Sequence, residues 1–324
     1  MKVLVTGATG FLGKSVVSAL AGRGHEVVAM ARPTATLPNR AAANVHYIRG
    51  DLRQRGDWCE AIRGVDAVVH AAAAVGGGFP DQFAGTVVAT ENLLDCIDWE
   101  SLRRFVLISS FSVYDYANGS RSIDERHPIE PQPARRDAYT WTKMLQEELA
   151  SSTCARHKVP FVSIRPGAIY GPGKDWDSGA ALKAGKFDLI FSPLAQLRLT
   201  HVDNCADAIA AAVERDVEGV FNIVDDNPPT HAGYHRICKA SGASTGRAIY
   251  VPWWAVAFTG LGVKLVNKAF FGGKARLPEL LDYPRQKARW RPFKYSNAKA
   301  KAELGWTPRV RIDDATRLMF GEKS

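Results

Sequence analysis

Short β-branched runs alternate along this chain with stretches whose apolar residues recur at helical spacing. Lys2–Thr6 is such a run; residues 11–23 carry the helical spacing, and residues 25–31 form a second β run introduced by Gly22 and Gly24. Further apolar runs stand at 45–48, 67–69, 105–108 and 161–164, with helical patterns at 90–97 and 139–150. This alternation predicts an α/β fold in which a doubly wound parallel sheet is covered on both faces. The cluster Gly76-Gly77-Gly78-Phe79-Pro80 reads as a loop. Beyond Pro166 the pattern changes: residues 171–193 hold several Gly and Pro with little periodicity, residues 219–224 look like a sheet strand, and helical patches follow from Asn227. The expected organisation is a dinucleotide-binding domain of residues 1–165 plus roughly 200–224, capped by a smaller substrate-binding portion of 166–199 and 225–324.

Composition narrows the class. With 324 residues, 46% hydrophobic and 23% charged, the chain suits a globular fold and excludes collagen, coiled coil and disorder. The net charge of +9 is uneven, because residues 264–311 hold thirteen Lys or Arg against three acids. Such a stretch suits a phosphorylated ligand, nucleic acid or an anionic membrane surface; no nucleic-acid motif accompanies it, so no nucleic-acid partner is expected. Five scattered cysteines suggest neither a disulfide framework nor a metal cluster, which fits a reducing cytoplasm. The apolar start stops at Thr6-Gly7, too soon for a signal peptide, and residues 251–263 are too few to span a bilayer. The aromatic residues 251–271 with their lysines are expected to make a weak peripheral membrane contact.

Thr6-Gly7-Ala8-Thr9-Gly10-Phe11-Leu12-Gly13 falls between the first strand and the first helix, where a dinucleotide-binding turn must lie. Gly7 serves the tight turn, Gly10 the approach of backbone N–H groups to a pyrophosphate, and Gly13 the close packing of helix on strand. The second strand ends at Ala31-Arg32 without the acid that would bind a ribose 2′-hydroxyl. Arg32 offers a cation for a 2′-phosphate, so NADP is the expected cofactor, with NAD the alternative.

The spacing Tyr-x-x-x-Lys occurs at Tyr139/Lys143, Tyr170/Lys174, Tyr283/Lys287 and Tyr295/Lys299. Gly-Pro-Gly follows Tyr170, Pro284 follows Tyr283, and Tyr295 opens a late polar helix, which leaves Tyr139/Lys143 on one face of a helix just before the strand ending at Arg165. Lowering a phenol from pKa ~10 by ~3 units takes ~4 kcal/mol, about what one ammonium ~4 Å away supplies at an effective dielectric of ~20. Ser110 sits just past a strand's carboxyl end, where it can hold a substrate oxygen.

Taken together, these segments resemble the extended short-chain dehydrogenase/reductase superfamily of NAD-dependent epimerase/dehydratase type, over nearly the whole chain. The resemblance rests on the glycine turn, Gly50-Asp51-Leu52, Val69-His70-Ala71-Ala72, Thr90-Glu91-Asn92, Ser109-Ser110, Tyr139/Lys143, Arg165-Pro166-Gly167, His201-Val202-Asp203 and Leu304-Gly305-Trp306. It implies a Rossmann-type fold, a dimer, and a small-molecule substrate oriented by Ser110, with Tyr139 as acid or base and Lys143 both binding the nicotinamide ribose and lowering the phenol's pKa. Gly7, Thr9, Gly10, Phe11, Leu12, Gly13, Arg32, Asp51, Leu52, Ala71, Ala72 and Pro166, with Tyr139 and Lys143, would bind the cofactor. Thr86 and Ala168 stand where the superfamily often has Asn, and Leu197-Arg198 replaces an Arg-Asp pair. These departures favour the branch resembling 3β-hydroxysteroid dehydrogenases and dihydroflavonol reductases, hence a ketone or secondary alcohol of a largely apolar substrate, with Trp253, Trp254 and Phe258 in its pocket, at the pocket's entrance or in the core. A nucleotide-sugar epimerase or dehydratase, and a non-catalytic NADP-binding redox sensor, are the alternatives.

Overall fold

A computed structural model describes residues 1–117, 119–174, 181–240, 246–272 and 281–315. Seven strands form one parallel sheet: β1 (Lys2–Thr6), β2 (Glu26–Ala31), β3 (Val45–Arg49), β4 (Ala67–His70), β5 (Arg104–Ile108), β6 (Phe161–Pro166) and β7 (Gly219–Ile223). Their order is β7-β6-β5-β4-β1-β2-β3. The order reverses between β1 and β4, and the crevice outside the carboxyl ends at such a switch is where open α/β sheets bind ligands. The β1/β4 register sets Thr6 opposite His70, so two polar side chains meet at that crevice.

Helices cover both faces. On one lie α1 (Phe11–Gly22) and a helix that follows β6 in sequence, Val202–Glu214, which pack Val16, Leu20, Ile209 and Val213 against Val5, Val106 and Phe221. On the other, α2 (Ala89–Cys96) and α3 (Ala138–His157) pack Leu93, Leu94 and Ala150 against Leu4, Phe105 and Leu107. Burying each large aliphatic side chain contributes about 1.5–3 kcal/mol, so the β-branched strands and the two helical layers hold each other in place. The start of α3 is fixed locally, because the Asp137 carboxylate accepts the Thr140 N–H at 2.6 Å and so puts Tyr139 in the first turn.

Several expectations are corrected by packing that one-dimensional pattern does not show. Within residues 171–193, Ala181–Ala184 and Phe187–Phe191 form an antiparallel hairpin turned at Gly185 (φ +60°), and Arg247–Val251 joins it as a third strand. Tyr283 does lie in a helix, Tyr283–Trp290, because Pro284 occupies the first turn, where a missing N–H costs nothing. There Lys287 sits 4.5 Å from the centre of the Tyr283 ring, against its face. Tyr295 instead ends the two-residue strand Lys294–Tyr295, which pairs with Ser122–Ile123. Cys59 and Cys96 are joined by a disulfide with their Cα atoms 5.0 Å apart, since the short helix Trp58–Ala61 packs beside the end of α2.

Candidate functional site

The turn between β1 and α1 is built for an anionic ligand. Gly7 has φ +67°, and a Cβ there would lie 3.0–3.1 Å from the Ala71–Ala72 backbone; a Cβ on Gly13 would run into the Gly7 carbonyl. Helix α1 starts at Gly10 with no side-chain cap and no acid in its first turn, so its N-terminal partial charge is unopposed. A cavity of about 510 Å³ opens in front of it. Gly7, Thr9, Gly10, Arg32, Asp51, Leu52, Ala71 and Ala72 line this cavity, together with residues the sequence did not single out, among them Met30, Arg53 and Ala73–Gly76. At its far end the Arg53 guanidinium grips the Asp51 carboxylate, with Oδ2 at 2.7 Å, and holds it below the usual carboxylate range, with Arg32 adding to the effect. Among the described residues Arg53 alone bonds that carboxylate, and Arg32 lines the same cavity. The uncapped helix start, the glycine cradle and this cationic end fit a phosphorylated dinucleotide.

The second half of the site stands on α3 and the end of β5. Ser110 stands near enough to the half-buried Tyr139 phenol to lower its pKa in part, and the Ser110 hydroxyl oxygen accepts the Ser112 N–H at 3.1 Å. Lys143, one turn along α3, is buried and donates to the Ile108 carbonyl and to Gln146 Oε1. Burial pushes its pKa down to about 7, with Glu147 opposing; burial would raise Glu147 in turn, but its ion pair with Arg165 brings it below the usual range.

Behind Lys143 lies a neutral hydrogen-bonded chain. A lysine cannot accept, so the Gln146 oxygen must face it, and Gln146 Nε2 then donates to Thr90 Oγ1 (2.9 Å) and the Ala72 carbonyl (3.3 Å). Thr90 donates to the Thr86 carbonyl at 2.6 Å and pairs with His70 Nε2 at 2.8 Å, a nitrogen that Gln146 Nε2 also approaches at 3.1 Å. Thr6 Oγ1 pairs with His70 Nδ1 at 2.7 Å and accepts the Ala72 N–H at 3.2 Å. Burial, reinforced by the Lys143 charge, depresses His70 to about 3, so this chain stays uncharged. Thr86, in place of an asparagine, holds the Ala74 N–H at 3.0 Å.

The structure thus brings Ser110, Tyr139 and Lys143 together, and the glycine turn with Arg32, Asp51, Leu52, Ala71 and Ala72. Phe11, Leu12 and Gly13 lie in the first turn of α1, and Pro166 closes β6. The acceptors of the Lys143 ammonium are groups other than the phenol. Burial raises the Tyr139 pKa, only partly offset by Ser110, while the ammonium is turned to Ile108 and Gln146. Trp254 and Phe258 are 65% and 70% exposed and so lie outside the core, and Phe258 lines a separate apolar hollow with Val263, Val266 and Phe271. Gln146 and Arg53 went unmarked in the sequence, although one lies three residues after the lysine and the other two after Asp51.

Residues 3–224 match the family described as Epimerase, NAD dependent epimerase/dehydratase family. The chain is 27% identical to a 2-alkyl-3-oxoalkanoate reductase of Stenotrophomonas maltophilia, over 98% of each chain. It is 32% identical to a 3-beta-hydroxysteroid dehydrogenase of Mycolicibacterium neoaurum over 53% of this chain and 48% of that one. In fold it is similar to a UDP-glucuronic acid 4-epimerase of Bacillus cereus solved with UDP-glucuronic acid and NAD, with a TM-score of 0.73 and 21% identity over 99% of this chain and 98% of that one.

Because Lys143 titrates near 7 when folded and near 10.5 when unfolded, the unfolded chain holds more protons between these values, and this group's contribution to stability rises with pH across that window. Lys143→Met is accordingly most favourable relative to the parent at or below pH 7, and its advantage shrinks toward pH 10.5. Urea unfolding at a series of pH values checks this, and a pH-independent difference would contradict it.

Proposed function

The chain belongs to the NAD dependent epimerase/dehydratase family and is an enzyme acting on CH–OH or keto groups; from that premise we propose that it is an NADP(H)-dependent reductase of a ketone on a largely apolar substrate. The observation that carries the reading is the placement of Tyr139 and Lys143 one turn apart on α3, with Lys143 anchored at the end of β5 just before Ser110. Burial raises Tyr139, so the phenol is protonated at neutral pH, the state from which a proton can pass to a carbonyl oxygen as charge develops on it.

The bound dinucleotide supplies the hydride. Ser110 orients the carbonyl oxygen, and Tyr139 Oη donates the proton to that oxygen as charge develops on it. Lys143, anchored on the Ile108 carbonyl and on Gln146, keeps one N–H for the cofactor ribose. Oxidation of an alcohol needs the reverse, a phenolate as base, and becomes efficient only at alkaline pH or where the oxidised nicotinamide's charge lowers the phenol. Preference for NADP(H) follows from Arg32 and Arg53 at the cavity end, where the Asp51 carboxylate is already claimed by Arg53. Trp141, two residues after Tyr139, packs with its ring centre 4.4 Å from that of Phe79, which puts an aromatic pair close in sequence to the reacting phenol. Full-length similarity to a 2-alkyl-3-oxoalkanoate reductase supports a keto substrate.

An NADPH oxidation screen against steroid, flavonoid and aliphatic ketones tests the reading. Tyr139→Phe is expected to lose roughly 10²–10⁴-fold in kcat while still binding NADPH; turnover surviving in that variant would refute the assignment. Arg32→Ser is expected to weaken NADPH selectively, narrowing the ratio of kcat/KM for NADPH over NADH by about tenfold or more. An unchanged ratio would remove Arg32 from cofactor choice.

A further inference from the structure

A helix of the C-terminal portion, Trp253–Phe271, buries one face and leaves the other bare. Val256, Gly260 and Asn267 are turned inward, with Gly260 close against Gln286 and Tyr283 of the helix Tyr283–Trp290. On the opposite side Trp254, Phe258, Leu261 and Leu265 follow one another at i, i+4, i+7 and i+11, which makes a single stripe along the helix. All four are exposed, and Phe270 at the helix end is 79% exposed. The strand Arg247–Val251 leads directly into this helix through Pro252 and adds exposed Ile249 and Tyr250. Among the described residues nothing covers the stripe, and isolated apolar residues on a surface do not line up in this way.

The charge beside the stripe identifies its occupant. Between Arg247 and Gly272 the chain carries three cations, Arg247, Lys264 and Lys268, and no acid. All three cations are exposed, and the two lysines flank the apolar stripe along one side of the helix. Lys264 Nζ lies 5.8 Å from the centre of the Tyr283 ring, near the edge of the face. A second copy of the chain docked face to face would set these cations against their own kind. An anionic lipid surface accepts them while the aromatic residues enter the headgroup region. No helix among the described residues is long and apolar enough to cross a membrane, so the contact lies in the plane of the surface.

We propose that the stripe Trp254–Phe258–Leu261–Leu265, flanked by Lys264 and Lys268, docks the protein onto a bilayer bearing anionic headgroups. The inference is independent of the reaction catalysed. The full chain is expected to float with phosphatidylcholine–phosphatidylglycerol vesicles at low salt, to bind phosphatidylcholine alone weakly, and to be released by raising the salt. Phe258→Glu abolishes flotation, and the pair Lys264→Ser, Lys268→Ser weakens it by roughly tenfold or more while leaving the apolar stripe intact. NADPH binding, followed by nucleotide fluorescence, stays at the parent level in each variant and shows that the fold is kept. Absence of flotation with the mixed vesicles overturns the proposal, as does flotation unchanged by Phe258→Glu. So does a dimer in sedimentation that Phe258→Glu dissociates, because the face is then covered by a second copy.

Discussion

An ammonium inside a protein needs acceptors that satisfy it, and the arrangement of this site follows from how Lys143 meets that need. Its acceptors are a carbonyl at the carboxyl end of β5 and the side-chain oxygen of Gln146, both neutral. A carboxylate in place of Gln146 would hold the charge more firmly and raise its pKa; the amide leaves the lysine near 7. The amide can serve only if its own N–H groups are used, and Thr90 and the Ala72 carbonyl use them. Those partners come from the end of β4 and from α2, so one buried cation ties together the strand ends that line the cofactor cavity.

The same tether explains why the phenol and the lysine play separate parts. With the ammonium held behind the helix, the environment nearest Tyr139 is burial and one serine hydroxyl, and burial prevails. A phenol in that state is an acid. Its pairing with an apolar flank and a cationic dinucleotide cavity is coherent with delivery of a proton to a carbonyl on a poorly soluble substrate. An aromatic stripe aimed at a lipid surface would bring the enzyme to where such substrates partition.

Much of this was legible from periodicity and spacing. Buried parallel strands read as short β-branched runs, and β1, β2, β4 and β5 stand within a residue or two of where those runs lie, because both faces of each strand are covered. The glycine turn was legible because only glycine fits Gly7's backbone and Gly13's contact. What escaped depended on partners distant in sequence. Gln146 looks like any polar helix residue until the fold brings Thr90 and Ala72 to it, and the Cys59–Cys96 pair is separated by 37 residues. Spacing likewise places a lysine one turn from a tyrosine, but it does not say that two of the lysine's hydrogen bonds go to Ile108 and Gln146. Pro284 misled because proline ends a helix in its interior and is tolerated in its first turn.

The most direct test of the account is the ionisation of Tyr139 itself. Ultraviolet difference titration of the cofactor-free protein, with Tyr139→Phe subtracted to isolate the one phenol, should find it protonated through neutrality and ionising above the ordinary tyrosine value of ~10. A phenol that ionises near neutrality in the free protein would contradict the account, because Lys143 would then be acting on it directly rather than being held by Ile108 and Gln146.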